Sequence, residues 1–309
     1  MIVLVAEVKG SVTIFEVEPL QKGYKVKIKI IICFLLGMLF SANANDTNDA
    51  FEMVLIPGGT NSGTDPDFGA YSLTVGSFYM HSKEVTKEQW DEVYNWAITN
   101  GYTFYNSGDG RGSQIDQPVN NIHWYDCATW CNARSEMDGR TPCYAIDGGW
   151  ICDTSKNGYR LPSTDEWKYA ARGGVSGKRF PWGDTIDFSN ANYRGSLTLP
   201  YDLSGSPDTS PIYHYNPTPY TSPVGSFAPN GYGLYDMGGN VQEWCNTVSP
   251  DPEITWHQRG LMGGTWLDYA NYMRCGFDGW GVADDASYTR GFRCVTSEWH
   301  FPATFLYIN

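Results

Sequence analysis

The sequence predicts an α+β fold, irregular and loop-rich, with short strands and two main helices. Three observations carry this prediction. The 309 residues include 34 Gly and 17 Pro, so turns are frequent. Hydrophobic residues make up 41% and aromatic residues 15%, against 18% charged, so a substantial core can be buried. Apolar residues recur at helical spacing in only two long segments, and elsewhere they fall in short runs between turn residues. With 21 Lys and Arg against 34 Asp and Glu, the formal charge of −13 disfavours polyanionic partners, and nucleic-acid binding is not expected.

Near the start, Lys27 and Lys29 precede an apolar run at residues 30–40, which is too short to span a bilayer but suits a signal-peptide core. Ala42 and Ala44 then form a small-residue cleavage site. The leader is therefore read as residues 1–44, with the signal peptide at 26–44, Val26 as a candidate initiator and a single mature domain at 45–309. Export (periplasmic, cell-surface or secreted) follows, with no transmembrane segment in the mature chain. A core strand at 30–40 is the competing reading. Residues 1–44 carry five Lys and three Glu, so cleavage leaves the chain more acidic still.

In chain order, residues 51–56 read as a strand ended by Pro57-Gly58-Gly59, and residues 73–79 alternate as a second strand. Residues 86–98 read as the first helix, with Thr86 and Gln89 placed for a capping box and Trp90, Val93, Tyr94 and Ala97 at helical spacing. Residues 124–136 form the second helix, with Cys127 and Cys131 one turn apart. Cys143 and Cys152 flank Asp147-Gly148-Gly149, which reads as a hairpin tip and makes the two a candidate cross-strand bridge. Ser163 and Glu166 can cap a further short helix, and Gly263-Gly264-Thr265-Trp266 reads as a glycine-rich strand. Seven cysteines remain after cleavage, allowing three disulfides and one leftover thiol in an oxidising compartment, and no zinc-finger spacing is present.

Several motifs arrive in order: His81-Ser-Lys-Glu-Val-Thr86, Pro118-Val119 with His123-Trp124-Tyr-Asp126, Gly158-Tyr-Arg-Leu-Pro162, Glu166-Trp167 through Gly174, and Phe180-Pro-Trp-Gly183. They continue through Pro229-Asn-Gly-Tyr-Gly-Leu-Tyr-Asp236, Gly239-Asn-Val-Gln-Glu-Trp244, Gly263-Gly-Thr-Trp266 and Gly291-Phe-Arg-Cys294. Over residues 51–295 the series resembles the formylglycine-generating enzyme family, the sulfatase-modifying factors, whose domain is a variant of the C-type lectin fold. The resemblance implies a calcium site at Asp236, Gly239, Val241 and Glu243, two carboxylates and two main-chain oxygens of the hard-donor kind this ion requires. It implies a second set at Asn192, Tyr193, Asn216 and Thr218. It also implies a Cys131–Cys294 disulfide beside the Cys143–Cys152 hairpin pair.

Family enzymes depend on two copper-binding thiols after the Gly-Gly-Ser/Thr-Trp motif. Those positions are Asp268 and Met273 here, so no catalytic residue is assigned, formylglycine formation by the family mechanism is not expected, and copper is not expected as a cofactor. The following residues, 267–289, are rich in Tyr, Asp, Gly and small residues, a composition suited to recognition loops. Candidate ligand-binding residues are Asp268, Tyr269, Asn271, Tyr272, Phe277, Asp278, Trp280, Asp284, Asp285 and Tyr288. The segment also resembles the C-terminal variable region of retroelement-diversified proteins that use this fold. The expected function is thus exported, non-catalytic binding of an extracellular protein or other ligand; the alternative is a formylglycine-generating oxidase or related modifying enzyme.

Overall fold

The computed structural model describes residues 2–8, 11–20, 23–28, 51–110, 116–215, 218–251 and 258–299. The chain divides into two compact units, residues 1–49 and 50–309. In the first, β1 (Ile2–Val8), β2 (Ser11–Leu20) and β3 (Gly23–Ile28) form an antiparallel meander. The expected signal-peptide core at residues 30–40 and the cleavage site lie outside the described residues. No helix among the described residues is long and apolar enough to cross a membrane.

The second unit opens with β4 (Met53–Ile56), β5 (Gly59–Asp65), β6 (Gly69–Val75) and β7 (Phe78–His81). The single strand expected at 73–79 is two strands in two sheets: β6 pairs with β5, whereas β7 lies between β4 and a late strand. The break falls at Gly76-Ser77, where a Cβ at the neighbouring Gly58 would lie 2.6 Å from Ser77 N, so two backbones pass too closely for a continuous strand.

Helix α1 (Lys87–Thr99) starts where the capping box predicts: Thr86 Oγ1 accepts from Gln89 N and Gln89 Oε1 accepts from Thr86 N, both at 3.1 Å. Its partner α2 (Trp124–Met137) is buried along most of its length, with Cys127 and Cys131 in the core. The hairpin β8 (Tyr144–Ala145) and β9 (Ile151–Cys152) follows, and then α3 (Thr164–Ala171), capped by Ser163 and Glu166 as expected. A small hairpin, β10 (His214–Tyr215) and β11 (Thr218–Pro219), precedes β12 (Gln242–Val248) and β13 (Gln258–Met262). The chain then forms β14 (Gly279–Val282), β15 (Arg290–Gly291) and β16 (Val295–Thr296). The sheet order is β14-β13-β12-β15, and β16 joins β7 and β4.

Three apolar clusters support these elements. The largest gathers Trp90, Trp124, Trp130, Trp244 and Phe292 around α1 and α2. A second surrounds Trp167 of α3. The third holds Phe180, Ile186, Ala191, Tyr193, Ala270 and Met273. Gly263 and Gly264 have φ of +92° and +70°, so the expected glycine-rich strand is a left-handed turn beyond β13.

Candidate functional site

Residues 267–289 leave that turn without helical or strand periodicity in sequence, yet they contain ordered structure. A 3₁₀ turn spans Ala270–Tyr272 and β14 spans Gly279–Val282. The strand escaped sequence reading because its inward positions are glycines. A Cβ at Gly279 would lie 2.3 Å from Leu261 O, and one at Gly281 would lie 2.3 Å from Leu261 Cδ1 and 3.1 Å from Trp244. Only glycine lets this backbone settle on β13 and Trp244, and the alternation then turns Trp280 and Val282 outward.

The segment is anchored from beneath by Ala270, Met273, Cys275 and Ala283, all buried. Its aromatics are not. Tyr269, Tyr272 and Tyr288 are 39%, 36% and 42% exposed, and Phe277 and Trp280 are half-buried. Tyr272 and Phe277 meet edge to face at 5.0 Å, and the Arg194 guanidinium lies 4.9 Å from the Tyr269 ring centroid. Asp278 pairs with Lys168 at 2.5 Å, and Asp285 with Arg290 at 2.7 Å. Asn271 is half-buried and its carbonyl accepts from Arg274 Nε at 2.6 Å, while Asp284 is exposed. The ten expected residues thus fall into a group before and within β14 and a second group in the turn after it.

Asp268 is half-buried, and burial holds its carboxyl above the usual range while hydrogen bonds from Thr265 oppose that shift. Met273 is fully buried, and the absence of a side chain at Gly264 makes room for its sulfur.

The expected calcium ligands turn out differently. Glu243 is 1% exposed and both its oxygens are engaged: Arg293 Nε and Nη2 donate to them at 2.8 and 2.7 Å, and Trp167 Nε1 donates at 2.7 Å. A guanidinium fork thus occupies the carboxylate face that a cation would need, and Glu243 serves an ion pair instead. Gly239 and Val241 are fixed from the amide side, by Gly263 O at 2.8 Å and Glu84 Oε1 at 3.1 Å. In the second set, Asn192 donates from its side chain to Tyr220 O at 2.9 Å, and the carbonyls of Asn192 and Tyr193 already accept from Asn240 N and Ser210 N. Thr218 lies in β11, and Asn216 falls outside the described residues. In the first set Glu243 is thus committed to Arg293, whereas one buried oxygen of Asp236 keeps no hydrogen-bond partner.

Sequence reasoning missed Glu84, which is fully buried and accepts from Asn240 Nδ2 at 2.6 Å and from Val241 N. Glu84, Asp236 and Glu243 interact electrostatically around the one guanidinium of Arg293. Burial raises Asp236 from 3.8 to about 6, with Glu243 adding to the rise and Gly225 N and Arg293 opposing it; its Oδ1 is buried without a hydrogen-bond partner. Burial likewise pushes Glu84 well above the usual carboxylate range. These carboxyls hold protons to higher pH in the folded chain than in the unfolded one. The Asp236 contribution to stability should therefore decline as pH climbs from 3.8 through about 6. Asparagine tolerates the left-handed backbone of Asp236 (φ 53°) and can still accept from Gly225 N at the same position. Asp236→Asn should therefore stabilise the chain at pH 7 by on the order of 1 kcal/mol and flatten the decline, as read by urea unfolding across pH. A variant less stable at pH 7 than the parent would contradict this.

Residues 40–298 match the sulfatase-modifying factor enzyme 1-like domain. The chain belongs to this family. It is 28% identical over 294 residues to the chaperone protein LppX of Paenibacillus barcinonensis, covering 88% of this chain and 98% of the relative. It is 27% identical over 291 residues to the mouse formylglycine-generating enzyme, covering 81% of this chain and 76% of that enzyme. The structure of Treponema denticola variable protein 1 superposes with a TM-score of 0.60 at 23% identity, covering 80% of this chain and 95% of that one, a likeness of fold.

Within this sulfatase-modifying-factor domain, the expected bridges are not formed: all seven described cysteines are free thiols. Cys131 and Cys294 nonetheless share one core, and burial raises both thiols, with Cys294 adding to the rise at Cys131. Cys143 precedes β8 and Cys152 ends β9, and each thiol shifts the other's protonation, with Cys143 lowered and Cys152 raised. Cys131 and Cys294 thus lie in the same apolar core, and Cys143 and Cys152 on the two arms of one hairpin.

Proposed function

We propose that this chain is an exported, non-catalytic binding protein that presents residues 267–289 on a sulfatase-modifying-factor scaffold. The observation that carries the reading is the exposure of Tyr269, Tyr272 and Tyr288 around β14, whose glycines face the core and whose Trp280 and Val282 face away from it. Exposed aromatics fixed on a rigid support provide contact area with little entropy to lose on binding. Oxidation of a substrate cysteine would need soft thiolate ligands, and the two positions carry an acid and a packed thioether.

Two measurements test this function. Incubation with Cu(I), oxygen and a cysteine peptide drawn from a sulfatase should leave the peptide mass unchanged; conversion to formylglycine would overturn the non-catalytic reading in favour of the modifying enzyme. N-terminal sequencing of protein recovered outside the cytoplasm should begin at Asn45, and recovery only as an uncleaved cytoplasmic chain would overturn export. The match along 98% of a relative named a chaperone favours a second reading, in which the ligand is a client polypeptide. That reading predicts suppression of aggregation of an unfolded polypeptide, abolished by the same aromatic substitutions.

A further inference from the structure

Away from residues 267–289, a cleft of 760 Å³ opens between the loop after α1, residues 100–105, and the β8–β9 hairpin, with α2 behind. Small-molecule sites commonly enclose about 300–1,000 Å³. Tyr102, Phe104 and Tyr105 come from the loop, Trp150 from the hairpin and Glu136 from α2, and Asp147 sits at the hairpin tip. Neither Lys nor Arg lines the cleft.

Trp150 is the most informative of these residues. Its φ is +63°, next to Gly149 at +78°, a backbone region that a bulky residue rarely adopts. Such strain persists only where the surroundings hold it, and it concentrates at functional positions. Here the holding groups are visible: Trp150 N donates to Ala145 O at 3.0 Å, and its ring lies 5.1 Å from Tyr125 and 6.2 Å from Trp124. The strained backbone thus holds the indole against Tyr125 and Trp124 at the edge of the cleft. On the facing loop, Asp126 Oδ1 accepts from Tyr105 N at 2.7 Å, which fixes the backbone, while the Tyr105 side chain remains 70% exposed. Burial and the neighbouring Glu136 carboxylate push the Tyr102 phenol up.

We propose that this cleft is a binding site for a small organic cation carrying an alkylated ammonium group. Ring faces carry negative quadrupole potential, and a cation within about 6 Å of such a face is attracted more strongly as water is excluded. Glu136 and Asp147 add full negative charge, no lining cation offsets them, and the net charge of −13 disfavours an anion throughout. The exposed methyl groups of the ligand would lie against the rings, and the charge would lie toward the carboxylates.

Choline and its uncharged isostere 3,3-dimethylbutanol are the probes, titrated calorimetrically into the full chain. Choline should saturate at millimolar concentration and the isostere should bind at least about tenfold more weakly. Glu136→Gln and Tyr105→Ala, both at exposed positions, should weaken choline binding about three- to tenfold at an unchanged melting temperature. Tyr272→Ala should leave it intact, which separates this site from the 267–289 surface. Equal binding of the two probes, absence of saturation by choline, or variants that bind like the parent would each overturn the site.

Discussion

Replacing Arg293 with methionine should destabilise the chain by about 3–5 kcal/mol, because the substitution leaves Glu243 as a buried charge without its counter-ion. Both groups are essentially inaccessible to water, at 0% and 1% exposure, and the guanidinium also donates to the carbonyls of Ser82 and Tyr235 at 3.2 and 2.8 Å. Arg293 therefore ties β12 to the segment after β7 and to the loop that carries Asp236. Its loss also removes the cation that moderates Glu84 and Asp236, so the unfolding penalty should deepen as pH rises. The double variant Arg293→Met with Glu243→Leu should recover part of the loss, since replacing both charges leaves no unpaired ion. Urea unfolding reads all three proteins. A loss below about 1 kcal/mol for Arg293→Met would show that the ion pair does not support the fold.

Trp244→Ala should cost a similar amount, about 3–5 kcal/mol, through cavity formation. The indole is fully buried, donates to Ile122 O at 3.2 Å and forms the floor beneath Gly281. Its removal takes away the surface on which β14 rests, so residues 279–282 should lose amide protection from hydrogen exchange before the rest of the sheet. Protection of β14 unchanged from the parent would contradict the support assigned to Trp244.

Local signals made the helices legible. The capping boxes of α1 and α3 are written within four residues each, and the structure places both helices where those residues predict. The family motifs likewise made the scaffold readable, because each keeps a tight turn or a buried aromatic in a fixed order. The strand β14 was hidden for the opposite reason: Gly279 and Gly281 carry no apolar side chain, so nothing marks their inward face until Leu261 and Trp244 are seen against them. The carboxylate cluster was hidden by distance along the chain. Glu84 meets Asn240 156 residues away, and the pairing of Glu243 with Arg293 spans 50. A carboxylate in a motif has the same sequence appearance whether it faces a metal ion or a guanidinium, and only the fold decides between them.

In the proposed function, residues 267–289 form an outward recognition surface on a stable scaffold. Urea unfolding of the alanine variants of Tyr269, Tyr272, Phe277, Trp280 and Tyr288 tests it most directly. With Tyr269, Tyr272 and Tyr288 exposed and Phe277 and Trp280 half-buried, most variants should stay within about 1 kcal/mol of the parent, in the range of surface substitutions. Losses of about 3–5 kcal/mol by most of the five, the magnitude of emptied core aromatics, would show that the segment is core and would contradict the account.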